Sequence, residues 1–311
     1  MSNQATYRFF CERESGVPIF SQPWYLDTIC GEKGWDVVLV KKGNEIAATM
    51  PFEVKQKFGI PVSSIPTLIR YWGPFFPKKI NTSKQQQKLT QRLIQSLPKL
   101  GWFEQHLHPD FKNALPYFWE KFTVRPRYTF ILDLEKPLET IYKNVSSNYR
   151  NNKITKAKKI IKFTTDKSVA DFYTIQKKTF NRQGIAPPFT LDFLKKYHQA
   201  LSENKAGKMF FAIDAEDRIH SAAYLIWDDH TAYLSMVGDD DKLRSSGAGI
   251  YLTWYLIEYS KHVLGKQTFD FLGSMIEPIT KVRRSFGAVQ TPYLHVKKFN
   301  SIVLRVLSLF R

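Results

Sequence analysis

The stretch "KMFFAIDAEDRIHSAAYLIWDDHTAYLSMVG", residues 208–238, decides how the chain folds. It holds three apolar runs, 208–213, 219–227 and 231–237, parted by an acidic turn and a polar turn. Short runs rich in aromatic and branched residues, bounded by turn formers, predict a three-stranded antiparallel meander. Helical patterns precede it at 139–162, 168–181 and 190–203, and "GIYLTWYLIEYSKHVLG" (249–265) follows as a strongly apolar helix. Short strands are expected at "TFDFLG" (268–273) and "PYLHVKKF" (292–299). Interleaved helices and strands of this kind predict an α/β fold with a mixed sheet.

The first half carries a faint echo. "WDVVLVKKGNEIAATMPFEVKQKFG" (35–59) reads as a strand at 35–41, a Lys-Gly-Asn turn and a strand at 45–54. A helix at 83–97 and a strand near 102–108 follow. In both halves a short strand and a charged turn lead into "NEIAATMPF" or "DRIHSAAYL", which predicts a duplicated domain. The boundary falls where "FILDLEKPLE" (130–139) leaves a strand and enters a helix, giving domains 1–137 and 138–311.

With 311 residues and 43% hydrophobic content, the chain has ample material for packed cores, so disorder is not expected. Two cysteines, Cys11 and Cys30, cannot make a disulfide framework. No signal-peptide pattern and no run of eighteen apolar residues is present, so a cytoplasmic location is expected. The net charge is +18. Residues 1–135 hold 18 basic and 12 acidic residues, a balance of +6; the remainder contributes +12. Such a field attracts phosphates, whether on RNA, a coenzyme, a nucleotide sugar or a lipid headgroup.

"RSSGAG" (244–249) fits Arg-x-x-Gly-x-Gly between the last meander strand and the apolar helix. Glycines there let backbone approach a ligand, and N–H groups of a helix's first turn face an anion, so Arg244, Gly247 and Gly249 are candidate pyrophosphate contacts. The alternative is a helix start with no ligand, and the aspartates of "GDDDK" (238–242) favour it unless they point away. In "SSNYRNNKITKAKK" (146–159), a helical projection puts Arg150 on the face of Ile154, Ala157 and Ile161. An arginine ending an apolar stripe should meet a carboxylate or a substrate phosphate. Lys153, Lys156, Lys158 and Lys159 read as a solvated face. Asp270 alternates with Phe269 and Phe271, so it either orients an acceptor or serves as a structural hydrogen-bonding group. "HLHPD" (106–110) is a polar strand end, and no metal is predicted. Trp24, Tyr71 and Trp72 belong to aromatic-rich segments that read mostly as core, or as the lining of a cleft.

Strands, then Arg-x-x-Gly-x-Gly, a helix and a strand is an order that resembles the GNAT acyltransferase superfamily. The fuller likeness is to its tandem FemAB-like and BioF-like branch. "PIFSQPWYLD" (18–27) resembles that branch's N-terminal signature, and "SSNYRNNKITKAKK" its Ser-x-x-Arg-x-x-Ile-x-Lys-Ala segment. "FDFLG" (269–273) with "VRRSFGA" (282–288) resembles its C-terminal strand and Phe-Lys-x-x-Phe-Gly motif, which aligns Arg283 with the motif lysine and Phe286 with its second aromatic.

The resemblance implies two tandem GNAT-like domains, the second more complete, and acyl transfer to an amine. Ordinary GNAT enzymes use acyl-CoA. FemAB-type enzymes use aminoacyl-tRNA and a peptidoglycan precursor. Arginine at 283 keeps a positive charge but cannot act as a base, so its role is electrostatic. No tyrosine occurs in "SMIEPITKVRRS" (274–285), where many GNAT enzymes place a general acid. Backbone N–H groups near Leu234–Val237 are the expected oxyanion contact.

The reading is an N-acyltransferase acting on an amine of a cell-envelope sugar or peptide precursor. It favours an acyl-CoA donor, with aminoacyl-tRNA as the alternative. Other classes are a non-catalytic basic protein binding RNA or membrane, and a degenerate GNAT scaffold. The basic amphipathic tail "FNSIVLRVLSLFR" (299–311) either docks on the protein or touches a membrane.

Overall fold

A computed structural model describes residues 2–308. The chain forms two compact units, residues 1–127 with 292–311, and residues 128–291.

The first unit opens with α1 (Asn3–Cys11) and α2 (Pro23–Cys30), then β1 (Trp35–Lys42) and β2 (Glu45–Glu53). These two strands form their own antiparallel sheet, joined by the expected glycine turn at Gly43. A hairpin of β3 (Lys55–Lys57) and β4 (Ile60–Ser63) leads by way of α3 (Ser83–Gln95), β5 (Trp102–His106) and α4 (Leu115–Trp119) to β6 (Thr123–Asp133). The chain passes into the second unit within β6. Val38, Ala48, Met50, Leu93, Phe103 and Tyr117 make the first unit's core.

The second unit continues with α5 (Leu138–Asn144), a π-helical turn (Asn148–Ile154), α6 (Thr155–Lys158) and β7 (Lys162–Thr164). Next come α7 (Val169–Asn181) and α8 (Leu191–Glu203), each started by a side-chain cap from Ser168 or Thr190. The meander is β8 (Gly207–Ile213), β9 (Ile219–Trp227) and β10 (Thr231–Asp239). Then follow α9 (Ala248–His262), β11 (Thr268–Asp270), α10 (Glu277–Ser285), β12 (Val289–Phe299) and α11 (Ile302–Leu307). The chain returns to the first unit within β12.

The sheet is mixed. In the second unit the order is β6-β11-β10-β9-β8-β7, parallel only between β10 and β11. In the first it is β3-β4-β5-β12, parallel between β4 and β5. The α9 face of the meander buries Phe210, Leu225 and Leu234 against Leu252, Leu256 and Ile257. Among the described residues no helix is long and apolar enough to cross a membrane.

Two expectations shift in detail. The single helix over 139–162 is broken, because Val145 is extended and the chain resumes in a π-helical turn. The compact units divide differently from 1–137 and 138–311: the first crossing comes at 127/128, and residues 292–311 join the first unit. The physical reason is that β12 pairs with β5, from His295 opposite His106 to Phe299 opposite Trp102.

Candidate acyl-transfer site

The site begins where two strands part. β10 and β11 pair only over Thr231–Thr268, Ala232–Phe269 and Tyr233–Asp270. β11 then ends, whereas β10 runs on to Asp239. On its other edge, the register of β10 with β9 slips between Leu234 and Met236, leaving Ser235 as the extra residue of a bulge. The inward face changes accordingly: Ala232 and Leu234 face the α9 core before the bulge, and Val237 after it. Where a strand loses its ladder neighbour, backbone N–H and C=O groups are available to a ligand, the kind of donor an oxyanion requires.

Beyond β10 the turn is tied down by its own chain. Asp240 pairs with Lys178 at 2.5 Å and accepts from the N–H groups of Lys242 (2.9 Å) and Leu243 (3.2 Å). A 3-10 turn over Arg244–Ser246 leads to Gly247, left-handed at φ +79. The N–H groups of Ser246 and Gly247 donate to the carbonyls of Leu243 (3.1 Å) and Arg244 (3.2 Å), and that of Ala248 to Ser246 Oγ (3.2 Å). A Cβ on Gly247 would lie 2.8 Å from the Lys153 carbonyl oxygen, and one on Gly249 would lie 2.4 Å from Asp239 Oδ1. Gly247, which faces backbone at a positive φ, is therefore required by close packing within the protein, whereas at Gly249 the Asp239 carboxyl would have to turn aside. Asp239 Oδ1 is buried with no hydrogen-bond partner among the described residues. Burial lifts its carboxyl above the usual range against the Ser221 hydroxyl and the Arg244 and Arg182 charges. The half-exposed Arg244 guanidinium stands 3.8 Å from Asp239 Oδ2. The amides of Ser246, Gly247 and Ala248 are thus engaged within the turn, which carries both the Asp239 carboxyl and the Arg244 and Lys156 cations.

The π-helical turn lies beside this loop: Lys156 Nζ reaches the Ser245 carbonyl at 3.5 Å. Ile154, Ala157 and Ile161 are buried, as the projection requires. Arg150 is half-buried, and its Nε donates to the Val145 carbonyl at 2.9 Å. No carboxylate among the described residues pairs with it, and the two terminal nitrogens of its fork have no protein partner there. Lys156, Lys158 and Lys159 are exposed, and Lys153 is half-buried.

Asp270 lies buried at the end of β11. Its Oδ1 accepts from Thr129 Oγ1 (2.5 Å) and from the N–H of Leu272 (2.7 Å), while the N–H of Gly273 donates to Thr129 Oγ1 (2.9 Å). These bonds hold Leu272 (φ +51) and Gly273 (φ +48) in consecutive left-handed conformations, so Asp270 shapes the exit from the parted strands. Arg283 is half-buried on α10. Phe286 is wholly buried, with its ring 5.4 Å from Tyr149 and 5.6 Å from Phe271, and is a core residue.

In the first unit, Trp24 is half-buried on α2, and its ring lies 5.6 Å from Tyr25. Tyr71 and Trp72 are buried, and Trp72 Nε1 donates to the Phe20 carbonyl at 3.0 Å. Their rings are interior packing. The expected polar strand end places His106 5.0 Å from His295, whose Nε2 lies 2.6 Å from Glu104 Oε1. Burial, with the His295, Arg127 and Arg70 charges, pushes His106 down to about 3.

The bulge at Ser235, the Thr129 hydroxyl, the buried Asp239 carboxyl and the Lys153 carbonyl were not anticipated from sequence. Only the Asp-rich run at 238–242 signalled any of them.

Residues 146–277 match the family model described as the acetyltransferase (GNAT) domain. No curated protein matches the sequence. Among solved structures, FemX is similar with a TM-score of 0.71 at 11% identity, over 98% of this chain and 98% of that one. A tandem GNAT protein from the clavulanic acid biosynthesis pathway gives 0.52 at 9%, over 95% and 93%. The C-terminal domain of a putative lysylphosphatidylglycerol synthetase from Agrobacterium fabrum gives 0.53 at 11%, over 94% and 90%. At such identities the likeness is one of fold. Acyl-CoA is the donor that the GNAT fold implies in general. Residues 146–277 thus form a GNAT acetyltransferase-type domain, and the chain as a whole shares the fold of FemX and of a tandem GNAT protein.

Proposed function

We propose that the protein transfers an activated acyl group to an amine of a phosphate-bearing cell-envelope precursor, with aminoacyl-tRNA favoured over acyl-CoA as donor. The observation that carries the acyl-transfer reading is the parting of β10 from β11 after Tyr233 and Asp270, with a bulge at Ser235. It supports a backbone oxyanion contact at Leu234–Val237; with no side-chain acid in 274–285, the amine's proton would pass to the leaving group through the substrate or a water. The unpaired end of the Arg150 fork suits a phosphate of the acceptor bidentately. The choice of donor rests on the glycine turn, where the amides of Ser246, Gly247 and Ala248 are bonded internally and the Asp239 carboxyl stands beside Arg244. A net charge of +18 suits a polyanionic carrier.

The test is transfer of label to candidate amine acceptors from charged tRNA and, separately, from acetyl-CoA. Transfer from charged tRNA alone is expected. Transfer from acetyl-CoA alone overturns the donor assignment, and transfer from neither overturns the enzyme reading.

A further inference from the structure

The hairpin of β3 and β4 turns at Phe58 and Gly59, with φ +53 and +73. Left-handed turn positions favour Gly, Asn or Asp, yet Phe58 holds one and is 75% exposed. Helix α11 repeats the anomaly: Ile302 is 80% exposed, and Val303, Val306 and Leu307 are each more than two-fifths exposed, while Leu304 alone turns inward.

These two elements are neighbours. A Cβ on Gly101 would lie 2.3 Å from Ile60 Cγ2 and 3.2 Å from both Leu304 Cδ1 and Ser301 Cβ. The Gly101 N–H donates to the Pro61 carbonyl (2.8 Å), and its carbonyl accepts from the N–H groups of Asn300 and Ser301 (3.0 Å each). One glycine therefore clamps the hairpin and the helix side by side. The flanking charge is mainly positive: stretches 55–61, 99–101 and 300–308 contain Lys55, Lys57, Lys99 and Arg305 and no acid, and among the described residues Lys55 alone of these pairs with a carboxylate, that of Glu53. Lys57 Nζ lies 5.1 Å from the centre of the Trp102 ring, over its face.

We propose that this corner of the first unit, the Phe58 hairpin tip with the exposed face of α11, is a peripheral binding surface for an anionic lipid membrane. Apolar side chains on two adjacent protrusions, ringed by lysine and arginine, match the interfacial zone of a bilayer. There the hydrocarbon side chains leave water and the cations meet lipid phosphates. The proposal is independent of the acyl-transfer reading.

Co-sedimentation of the full chain with vesicles of phosphatidylcholine, with and without phosphatidylglycerol, tests it. Binding to the phosphatidylglycerol vesicles alone, weakened by salt, is expected. The double substitution Phe58→Ser with Ile302→Ser removes two apolar anchors and should reduce partitioning by about tenfold or more, leaving thermal unfolding unchanged because both side chains are exposed. Lys57→Glu with Arg305→Glu should weaken binding to the anionic vesicles further than the same change in net charge does when placed in the second unit, at Lys195 and Lys196. Absence of binding overturns the proposal. So does binding unchanged by the double serine variant, which assigns it to diffuse charge. Self-association that the serine variant abolishes, seen by sedimentation velocity without vesicles, overturns it in favour of a second copy of the chain.

Discussion

Substituting Gly247 by alanine separates a glycine kept for a ligand from one kept for packing. A side chain with a Cβ costs about 1–2 kcal/mol in the left-handed region that Gly247 occupies at φ +79. The added methyl would also lie 2.8 Å from the Lys153 carbonyl oxygen. That oxygen is backbone within a helical turn, so relief requires moving the turn, roughly 1–2 kcal/mol by analogy with overpacked cores. The sum is about 2–4 kcal/mol in the second unit, or a fall in Tm of roughly 5–12 °C for a unit of its size. Urea and thermal unfolding of the full chain, with no donor or acceptor present, measure it. Gly247→Asn retains the Cβ but tolerates the left-handed region better, so it should lose about 1 kcal/mol less than alanine. A Gly247→Ala protein within about 0.5 kcal/mol of the parent refutes the packing account. The glycine would then be free for an anion, and acyl-CoA would regain its claim.

Asp270→Ala and Thr129→Val should each cost about 1–3 kcal/mol, and the double variant less than their sum, because both remove one network; a double-mutant cycle in urea reads the coupling. For Asp239, burial raises the carboxyl's pKa in the folded protein above its ordinary 3.8, so stability is full below that value and is lost as pH rises through the folded-state pKa. Asp239→Asn stays neutral, so its stability relative to the parent should rise with pH from about 4 upward and match it at lower pH, measured by unfolding at a series of pH values. Arg150→Lys keeps the charge but loses the planar fork. It should raise KM for a phosphate-bearing acceptor by about tenfold or more with little change in Tm, and an unchanged KM would remove Arg150 from the acceptor site.

Much of the fold was legible because its strands alternate or run apolar between polar turns. β1, β2, β8, β9 and β10 fall within two residues of the expected limits. The stripe of Ile154, Ala157 and Ile161 was legible for the same reason, since burial imposes a period on the sequence. The site was less so. A glycine records only that something approaches its Cα. Whether that is a phosphate or the Lys153 carbonyl, ninety-four positions earlier, is a fact of tertiary structure. Phe286 matched a motif, yet its ring is core, because motif residues next to a site often support it from within. The π-helical turn left no periodic trace, since its seven residues are too few to define a repeat. β3 and β4 were missed because "KQKFGIP" (55–61) lacks the branched and aromatic density of a strand.

The route of the chain through β12 sets the order in which the protein can be built. His295 faces His106, which lies 189 positions earlier, so on the ribosome β5 waits for β12 until the whole second unit has been made. The second unit, contiguous from residue 128 to 291, is complete before that. Synthesis from the N-terminus usually lets the first-made part fold first. Here the order is inverted: the middle of the chain closes early, while the beginning stays open along β5 and exposed to mispairing. Loss of the last twenty residues would spare the GNAT-type domain's contiguous unit and leave the first unit without the strand that completes its sheet.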